Sequence, residues 1–336
     1  MNARRAIFEI YLDYVQYYGG SIRLRSLLAL GQELGLTTTA LRAALCRLCR
    51  QGWLQASSRR KQSFYALTEM GLERVEEAAP RIFSPHVEKW DGQWTMLTYS
   101  LPEKLRPHRD RLRRELTWLG FGPLLPSVWI SPRPVVELTL RHLGQRQLDG
   151  FVHLFRARHV NSLAYDELAE KCWNLKTVQK QYVKFTRHWE PEWQKFQARF
   201  NAGDPPNESV CFASKMRLLH EYGKFLHIDP GLPSELLPAG WPGTTAWRVF
   251  RECHLLLAER ALNFFDRHFE GPPETQPQQN EGRQKALHNV YESSAQRVWK
   301  LCTTCMELAQ LTLWRLATCN SRPCAVKSKA RSLMSP

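Results

Sequence analysis

Basic side chains are concentrated in one acid-free stretch of this sequence. Between Leu36 and Thr68 there is no Asp or Glu, but there are six basic residues, namely Arg42, Arg47, Arg50, Arg59, Arg60 and Lys61. An Arg guanidinium can donate two hydrogen bonds to guanine, and any basic side chain attracts phosphate. Thr38 and Thr39 precede Arg42 and add hydroxyl groups that can contact bases or phosphates. The stretch therefore predicts a surface that binds double-stranded DNA.

A helix must position the first half of these residues. Leu41, Leu45 and Leu48 recur at helical spacing, which predicts a helix from about Ala40 to Gln51. The run Thr37–Thr39 supplies the preceding turn and the N-cap. Because the apolar face packs inward, the helix presents a different set of side chains outward: Thr38, Thr39, Arg42, Ala43, Cys46, Arg47 and Arg50.

A hairpin must position the second half. Two short strand-like runs, Trp53–Ala56 and Phe64–Leu67, are separated by a segment that begins with the letters SSRRKQ. A helix followed by a basic-tipped hairpin is the pattern of a winged helix-turn-helix. The alternative is an ordinary helical segment with a solvated basic face. In the DNA-binding interpretation, Thr38, Thr39 and Arg42 read bases, and the phosphates or the minor groove are contacted by Arg59, Arg60 and Lys61.

Further elements are predicted on both sides of this unit. Helical spacing covers Ala6–Tyr17, and Ser21–Leu24 is interpreted as a very short strand or a lead-in to the next helix. Ser26 is the predicted cap of a helix that runs to Glu33. Thr68 is the predicted cap of a later helix, whose apolar face contains Leu72, Val75 and Ala79.

Composition limits the class of protein. The chain has 336 residues, a formal net charge of +15 and 43% hydrophobic residues. This size favours two or three domains, and the positive charge favours a polyanionic partner. No early apolar run resembles a signal peptide, and no run of about 18 apolar residues predicts a membrane span. We therefore expect a cytoplasmic protein that uses no membrane, with its nine cysteines reduced.

Strand and helix patterns alternate in the middle of the chain. This alternation predicts a small ferredoxin-like domain of mixed α+β type. The predicted strands are Thr95–Leu101, Ser127–Ser131 and Phe151–Phe155. The predicted helices are Pro107–Leu119, Val135–Leu143 and Asp166–Asn174.

Helical patterns dominate the last third of the chain, at Val178–Arg199, Lys215–Leu226, Ala246–Phe269 and about Ala286–Leu316. The predicted organisation has five parts: a winged-helix domain at 1–80, a linker at 81–92, a ferredoxin-like domain at 93–177, a mainly helical C-terminal domain at 178–270, and a linker with an atypical helical, basic tail at 271–336.

Five short motifs give the chain a family resemblance. They are RQGWL at 50–54, WDGQW at 90–94, ELTWLGFG at 115–122, VWISP at 128–132 and LLPAGWPG at 236–243. Together they resemble the PaaX family, the phenylacetic acid degradation repressors, over about residues 1–270. The resemblance implies a winged helix, a ferredoxin-like domain and a helical domain. It also implies a homodimeric repressor, not an enzyme, that an aryl-acetyl-coenzyme A, typically phenylacetyl-coenzyme A, releases from its DNA operator.

Candidate residues for such an effector lie in the middle of the chain. The helix at 106–114 is strongly basic and can be either a solvated face or a site for the phosphates of coenzyme A. Two tryptophans nearby can be core residues or an aromatic wall for a phenyl ring. The resulting effector candidates are Arg114, Trp118 and Trp129.

Two other classes of function remain as alternatives. An architectural DNA-binding protein would use the same basic surface without an effector. A ferredoxin-type metal nuclease would need a carboxylate at the end of the first middle strand, where Tyr99–Pro102 stands, with Glu103 and Asp110 nearby. The cysteines Cys302, Cys305, Cys319 and Cys324 contain a single Cys-x-x-Cys pair, whereas a structural zinc needs four converging ligands. We predict no metal site and no cofactor.

Overall fold

The computed structural model describes residues 1–84, 89–144, 149–160, 164–273 and 281–286. Three parts of it are used below: the N-terminal region (1–84), the central region (89–172) and the C-terminal region (175–270). The predicted helix at 286–316 and the four cysteines from Cys302 onward lie outside the described residues. None of the described helices combines the length and apolar character that a membrane crossing requires.

Four helices and a three-stranded sheet form the N-terminal region. Their order along the chain is α1 (Ala3–Asp13), β1 (Ser21–Arg23), α2 (Leu24–Glu33), α3 (Thr38–Arg50), β2 (Leu54–Arg59), β3 (Gln62–Leu67) and α4 (Glu69–Phe83). The sheet has the order β1-β3-β2, and both strand pairs are antiparallel. The helices and the hairpin expected from sequence are therefore present in the expected order.

Three details of this region differ from the prediction. Ser26 lies inside α2, where its hydroxyl accepts a hydrogen bond from the Glu270 N–H at 3.1 Å, and Arg23 holds the N-cap position. The buried face of α4 contains Val75, Ala78 and Ile82, whereas Leu72 is exposed. Helix α4 also continues through Pro80 into the segment that was interpreted as a linker. A proline blocks one backbone hydrogen bond, but packing of the apolar face keeps the helix intact.

The central region is a four-stranded sheet with helices. Its elements are β4 (Trp94–Tyr99), α5 (Arg106–Trp118), β5 (Gly122–Leu125), β6 (Val128–Ser131), α6 (Val136–Gly144), β7 (Val152–Ala157) and α7 (Tyr165–Cys172). The strand order is β5-β6-β4-β7, and every neighbouring pair is antiparallel.

Strand β5 was missed in the sequence because Gly122-Pro123 was interpreted only as a helix stop. A Cβ atom at Gly122 would lie 2.5 Å from Cε2 of Trp173, so this glycine allows a tryptophan to pack against the strand.

The C-terminal region is mainly helical, with α8 (Leu175–Asn201), α9 (Glu208–Tyr222) and α10 (Gly243–His268). The three predicted helices are confirmed, with shifted ends. The start of α9 is fixed by Asn207, whose side chain accepts a hydrogen bond from the Val210 N–H at 2.8 Å.

One hydrophobic core spans the N-terminal and C-terminal regions. Tyr14, which directly follows α1, stacks on Phe265 of α10 with 4.6 Å between ring centroids, and Leu41 of α3 belongs to the same cluster. The central sheet has separate clusters on its two faces, one around Leu97 and one around Trp94. The N-terminal and C-terminal regions are thus joined by shared apolar packing.

Candidate nucleic-acid interface

Helix α3 begins at a threonine cap. The hydroxyl of Thr37 accepts a hydrogen bond from the Ala40 N–H at 3.2 Å, which satisfies a backbone donor that the first helical turn leaves open. The buried face of the helix consists of Leu41, Ala44, Leu45 and Leu48. The opposite face is exposed and carries Thr39, Arg42, Ala43, Cys46, Arg47 and Arg50.

Thr38 has a more restricted position. It is half-buried, and its hydroxyl accepts a hydrogen bond from Nε2 of Gln32 at 3.2 Å. This contact ties the start of α3 to the end of α2. As a base reader Thr38 stays a prediction.

The hairpin has an unusual turn at its tip. Arg59 pairs with Gln62 at the end of the ladder, so Arg60 and Lys61 form the two-residue loop. Both have positive φ angles, 49° and 62°. Such a turn matches the twist of the strands, but Asn-Gly is its low-energy sequence. Two long basic side chains are therefore held in a backbone region that L-residues rarely occupy.

Five exposed basic residues of this surface make no ion pair with a carboxylate among the described residues. Within the part of the chain that the structure describes, there is no ion pair between a carboxylate and Arg42, Arg47, Arg50, Arg60 or Lys61. Arg59, which is also exposed, makes an interaction of its own. The positive charge of Arg42, Arg47, Arg50, Arg60 and Lys61 is consequently available to an external anion.

The hairpin is fixed to the helices behind it. The hydroxyl of Tyr11 in α1 donates a hydrogen bond to the Tyr65 carbonyl at 2.8 Å. Burial raises the pKa of the Tyr65 hydroxyl, Cys49 and Cys46 add to this effect, and Arg42 opposes it. Arg42 on α3 and Tyr65 on β3 are therefore close enough to interact, so the helix and the hairpin present a single surface.

Arg4 extends this surface and was missed in the sequence. Its guanidinium lies 5.8 Å from the Trp53 ring centroid and donates a hydrogen bond to Oε1 of Gln51 at 3.5 Å, beside the end of α3. Arg4 and Gln51 are 47 residues apart in the sequence, so no local sequence pattern indicates this contact.

The three effector candidates do not share one environment. Arg114 is exposed on α5. Trp118 is half-buried, and its indole N–H donates a hydrogen bond to Oε2 of Glu77 at 2.7 Å. Trp129 is buried in the core on one face of the central sheet, with a buried indole N–H that lacks a hydrogen-bond partner among the described residues. An effector role for these residues stays a prediction.

A tyrosine occupies the strand end at which a ferredoxin-type nuclease needs a carboxylate. The Tyr99 hydroxyl donates to the Pro126 carbonyl and accepts from Nε of Arg113, both at 3.0 Å. Of the two acidic residues nearby, Glu103 pairs with Arg109 and Asp110 is exposed. Within the described ranges, no group of three His, Cys, Asp or Glu residues is placed to hold a metal ion.

Family comparisons match nearly the whole described chain. The family described as PaaX-like protein matches residues 2–71. The PaaX protein central Cas2-like domain matches residues 87–169, and the PaaX-like protein C-terminal domain matches residues 173–267.

A curated relative shows the same likeness. The chain is 32% identical over 262 residues to the Transcriptional repressor PaaX of Escherichia coli (strain K12), covering 77% of this chain and 81% of that protein. A solved structure, the uncharacterized protein Rv0674 from Mycobacterium tuberculosis, matches with 23% identity and a TM-score of 0.40, covering 72% of this chain and 89% of that one. From the three matched family domains and the identity to the repressor, we conclude that this chain belongs to the PaaX family of transcriptional regulators.

Proposed function

We propose that this protein is a DNA-binding repressor of genes for aromatic, phenylacetate-type catabolism. In this proposal α2, α3 and the β2–β3 hairpin form a winged helix-turn-helix, and the protein acts in the cytoplasm as a homodimer on a palindromic operator. An aryl-acetyl-coenzyme A such as phenylacetyl-coenzyme A releases it from DNA. The central region is then a ferredoxin-like domain, consistent with its β-α-β-β-α-β order.

The observation that carries the proposal is the strained basic turn of the β2–β3 hairpin, which occurs together with a basic exposed face on α3. Arg60 and Lys61 occupy left-handed backbone positions where smaller residues cost less energy, so the side chains themselves have a use. Arg42, Arg47 and Arg50 extend the same positive surface along the helix. Paired with family membership, this arrangement supports base reading by the helix and phosphate contacts by the hairpin.

Two substitutions test the division of roles. The change Arg42→Ala removes a proposed base contact, so it should cost about 1–3 kcal/mol on the operator and relax sequence preference. The change Arg60→Ala removes a phosphate contact, so it should weaken operator and random DNA equally and lower the salt dependence of binding. Fluorescence anisotropy on both DNA molecules, at several salt concentrations, measures these effects.

A matched variant controls for charge alone. The change Arg217→Ala removes an exposed arginine of α9, and DNA affinity should be unchanged. Equal loss for Arg42→Ala on operator and random DNA would contradict the placement of α3 as the reading helix.

An architectural DNA-binding protein remains the second candidate function. The same anisotropy assay distinguishes it, because phenylacetyl-coenzyme A should displace the proposed repressor from its operator. If a panel of acyl-coenzyme A thioesters leaves the complex intact, the ligand-controlled function is wrong and the architectural function gains support.

A further inference from the structure

Helix α4 is fixed to the DNA-binding surface at its first turn. The hydroxyl of Thr68 donates a hydrogen bond to the Gly52 carbonyl and accepts one from the Gly71 N–H at 3.1 Å. A Cβ atom at Gly71 would lie 2.1 Å from the Trp53 carbonyl oxygen, so the helix backbone is in close contact with the chain between α3 and β2. A movement of α4 must therefore carry the base of the hairpin with it.

The later turns of α4 contact the central region through polar groups. We name this contact the α4–α5 joint, and it consists of Arg74, Glu77 and Arg81 of α4, Glu115 and Trp118 of α5, and His142 of α6. Nη2 of Arg74 lies 2.6 Å from Oε2 of Glu115, and Nε2 of His142 lies 2.6 Å from Oε1 of Glu77.

Trp118 stands in the middle of the joint. The guanidinium groups of Arg74 and Arg81 lie 4.9 and 5.1 Å from its ring centroid, and its N–H is bonded to Glu77. Arg81 also donates hydrogen bonds to the carbonyls of Trp118 and Leu226, each at 2.7 Å. One arginine of α4 thus holds the end of α5 and a turn of the C-terminal region together.

Two carboxylates and two cations of the joint pair across the contact. Carboxylates face each other from α4 and α5, and two cations bridge them, because Arg74 and His142 each contact both Glu77 and Glu115. A neutral imidazole has only one N–H, so two carboxylates on its two nitrogens favour the protonated ring. A small displacement of α5 relative to α4 would separate these pairs.

We propose that α4 is a lever by which the central region controls the DNA-binding surface, with the α4–α5 joint as its point of attachment. The proposal rests on the proposed function for its purpose, but the mechanical link can be measured without DNA. A polar contact that has two discrete arrangements can transmit the effect of ligand binding from one region to another, because the rigid elements on either side of it move as units.

Hydrogen–deuterium exchange of the full chain tests the lever. The change Glu77→Gln removes the charge that His142 and Arg74 share, and Trp118→Phe removes the N–H donor while keeping an aromatic ring. If the lever exists, amides of the β2–β3 hairpin and of the first turn of α4 should exchange roughly tenfold faster in each variant, the effect of one lost charge-assisted hydrogen bond.

Glu76 provides the matched control, because it is the neighbouring carboxylate of α4 and is exposed. The change Glu76→Gln should leave exchange in the hairpin unchanged. Faster exchange confined to α5 and α6 in Glu77→Gln and Trp118→Phe would overturn the proposal. Because Trp118→Phe preserves most of the packing, it keeps the test valid if Glu77→Gln folds poorly.

DNA affinity separates the lever from the proposed function. If the wild-type protein binds no operator, the proposed function fails while the exchange result still decides the lever. If it binds, Glu77→Gln should change operator affinity by about tenfold and Glu76→Gln should not. Altered exchange in the hairpin with unaltered operator affinity would mean that the lever does not control DNA binding, which also overturns the proposal.

Discussion

The N-terminal region contacts the C-terminal helices through α1 and the central region through α4, and both contacts contain buried charges. In the first, Lys215 pairs with Asp13, and each side chain is 2% exposed. In the second, the side chains of Arg74, Glu77, Glu115 and His142 are 7–15% exposed. The first pair lies inside a continuous apolar core, while the second group joins two separately packed regions.

The two contacts differ in the free-energy cost of separating their charged groups. Separating Asp13 from Lys215 leaves charges in a medium that solvates them poorly, so this contact favours one arrangement. The charged side chains of the α4–α5 joint are more exposed than this pair, so they are solvated more readily when the joint opens and the cost is smaller. The contact between α1 and the C-terminal helices is therefore suited to one fixed arrangement, whereas the α4–α5 joint is suited to a change of arrangement.

The largest expected effect comes from breaking the first contact. The change Lys215→Met removes the buried cation that pairs with Asp13 and leaves its contacts with His254 and Tyr14, so the free energy of unfolding should fall by about 3–5 kcal/mol. Urea unfolding followed by circular dichroism measures it. Lys224→Met, which alters an exposed lysine paired with Glu221, should change stability by under about 1 kcal/mol. Equal losses in the two variants would remove the distinction between the contacts.

A smaller effect is expected at the joint. The change Arg81→Met removes the donor to the carbonyls of Trp118, Leu226 and Asp229, so it should cost about 1–3 kcal/mol. Thermal unfolding measures the loss. Arg248→Met is the control, because Arg248 pairs with Glu190 at the surface and its loss should cost under about 1 kcal/mol. A loss for Arg81→Met as large as that for Lys215→Met would show that the joint also holds the fold.

The two contacts should respond to pH with opposite signs. Burial alone would lower the pKa of His142, but hydrogen bonds to Glu115 and Glu77 outweigh it and raise the pKa, against the opposing charge of Arg74. The joint is therefore fully stabilised below the unfolded pKa of about 6.5 and weakens as pH rises through the raised value. Burial and Lys215 lower the pKa of His254, and Asp13 opposes this effect. As pH falls below about 6.5, the unfolded chain therefore binds a proton at this histidine more readily than the folded chain, which destabilises the contact between α1 and the C-terminal helices.

Two variants test which histidine causes each pH effect. These effects on stability are the smallest of those predicted. Urea unfolding across the range from acid to alkaline pH should show that His142→Gln flattens the alkaline side of the stability profile. His254→Gln should flatten the acid side. Identical profiles for both variants would mean that the two histidines do not distinguish the contacts.

Local signals in the sequence account for the parts that were predicted well. The run Thr37–Thr39 was predicted to contain a cap, which Thr37 supplies, and Thr68 was predicted as a cap. Both Thr37 and Thr68 accept a backbone hydrogen bond, because a cap depends on residues only a few positions away. The leucine spacing of α3 likewise identified its buried face. Strand β5 was missed because Gly122 gives no strand signal, and its role depends on Trp173, which is distant in sequence.

Long-range contacts account for what the sequence could not supply. Trp118 was considered as core or as an effector wall, but its N–H contacts Glu77 across 41 residues. His142 contacts Glu77 across 65 residues, and neither position has a periodic signal. Folding of the central region onto α4 creates this cluster, so only the three-dimensional arrangement reveals it.

The shared core of the first and last regions has a consequence for synthesis on the ribosome. Tyr14 and Tyr18 are buried against Phe265 and Phe269, and the Arg23 N–H donates to the Glu270 carbonyl at 2.8 Å. Until α10 has been synthesised, these N-terminal tyrosines must stay exposed in the nascent chain, because their packing partners do not yet exist. The proposed DNA-binding surface precedes α10 in the chain but can reach its final form only after α10 is made, so translation products that end before α10 should not compete for DNA with the full chain.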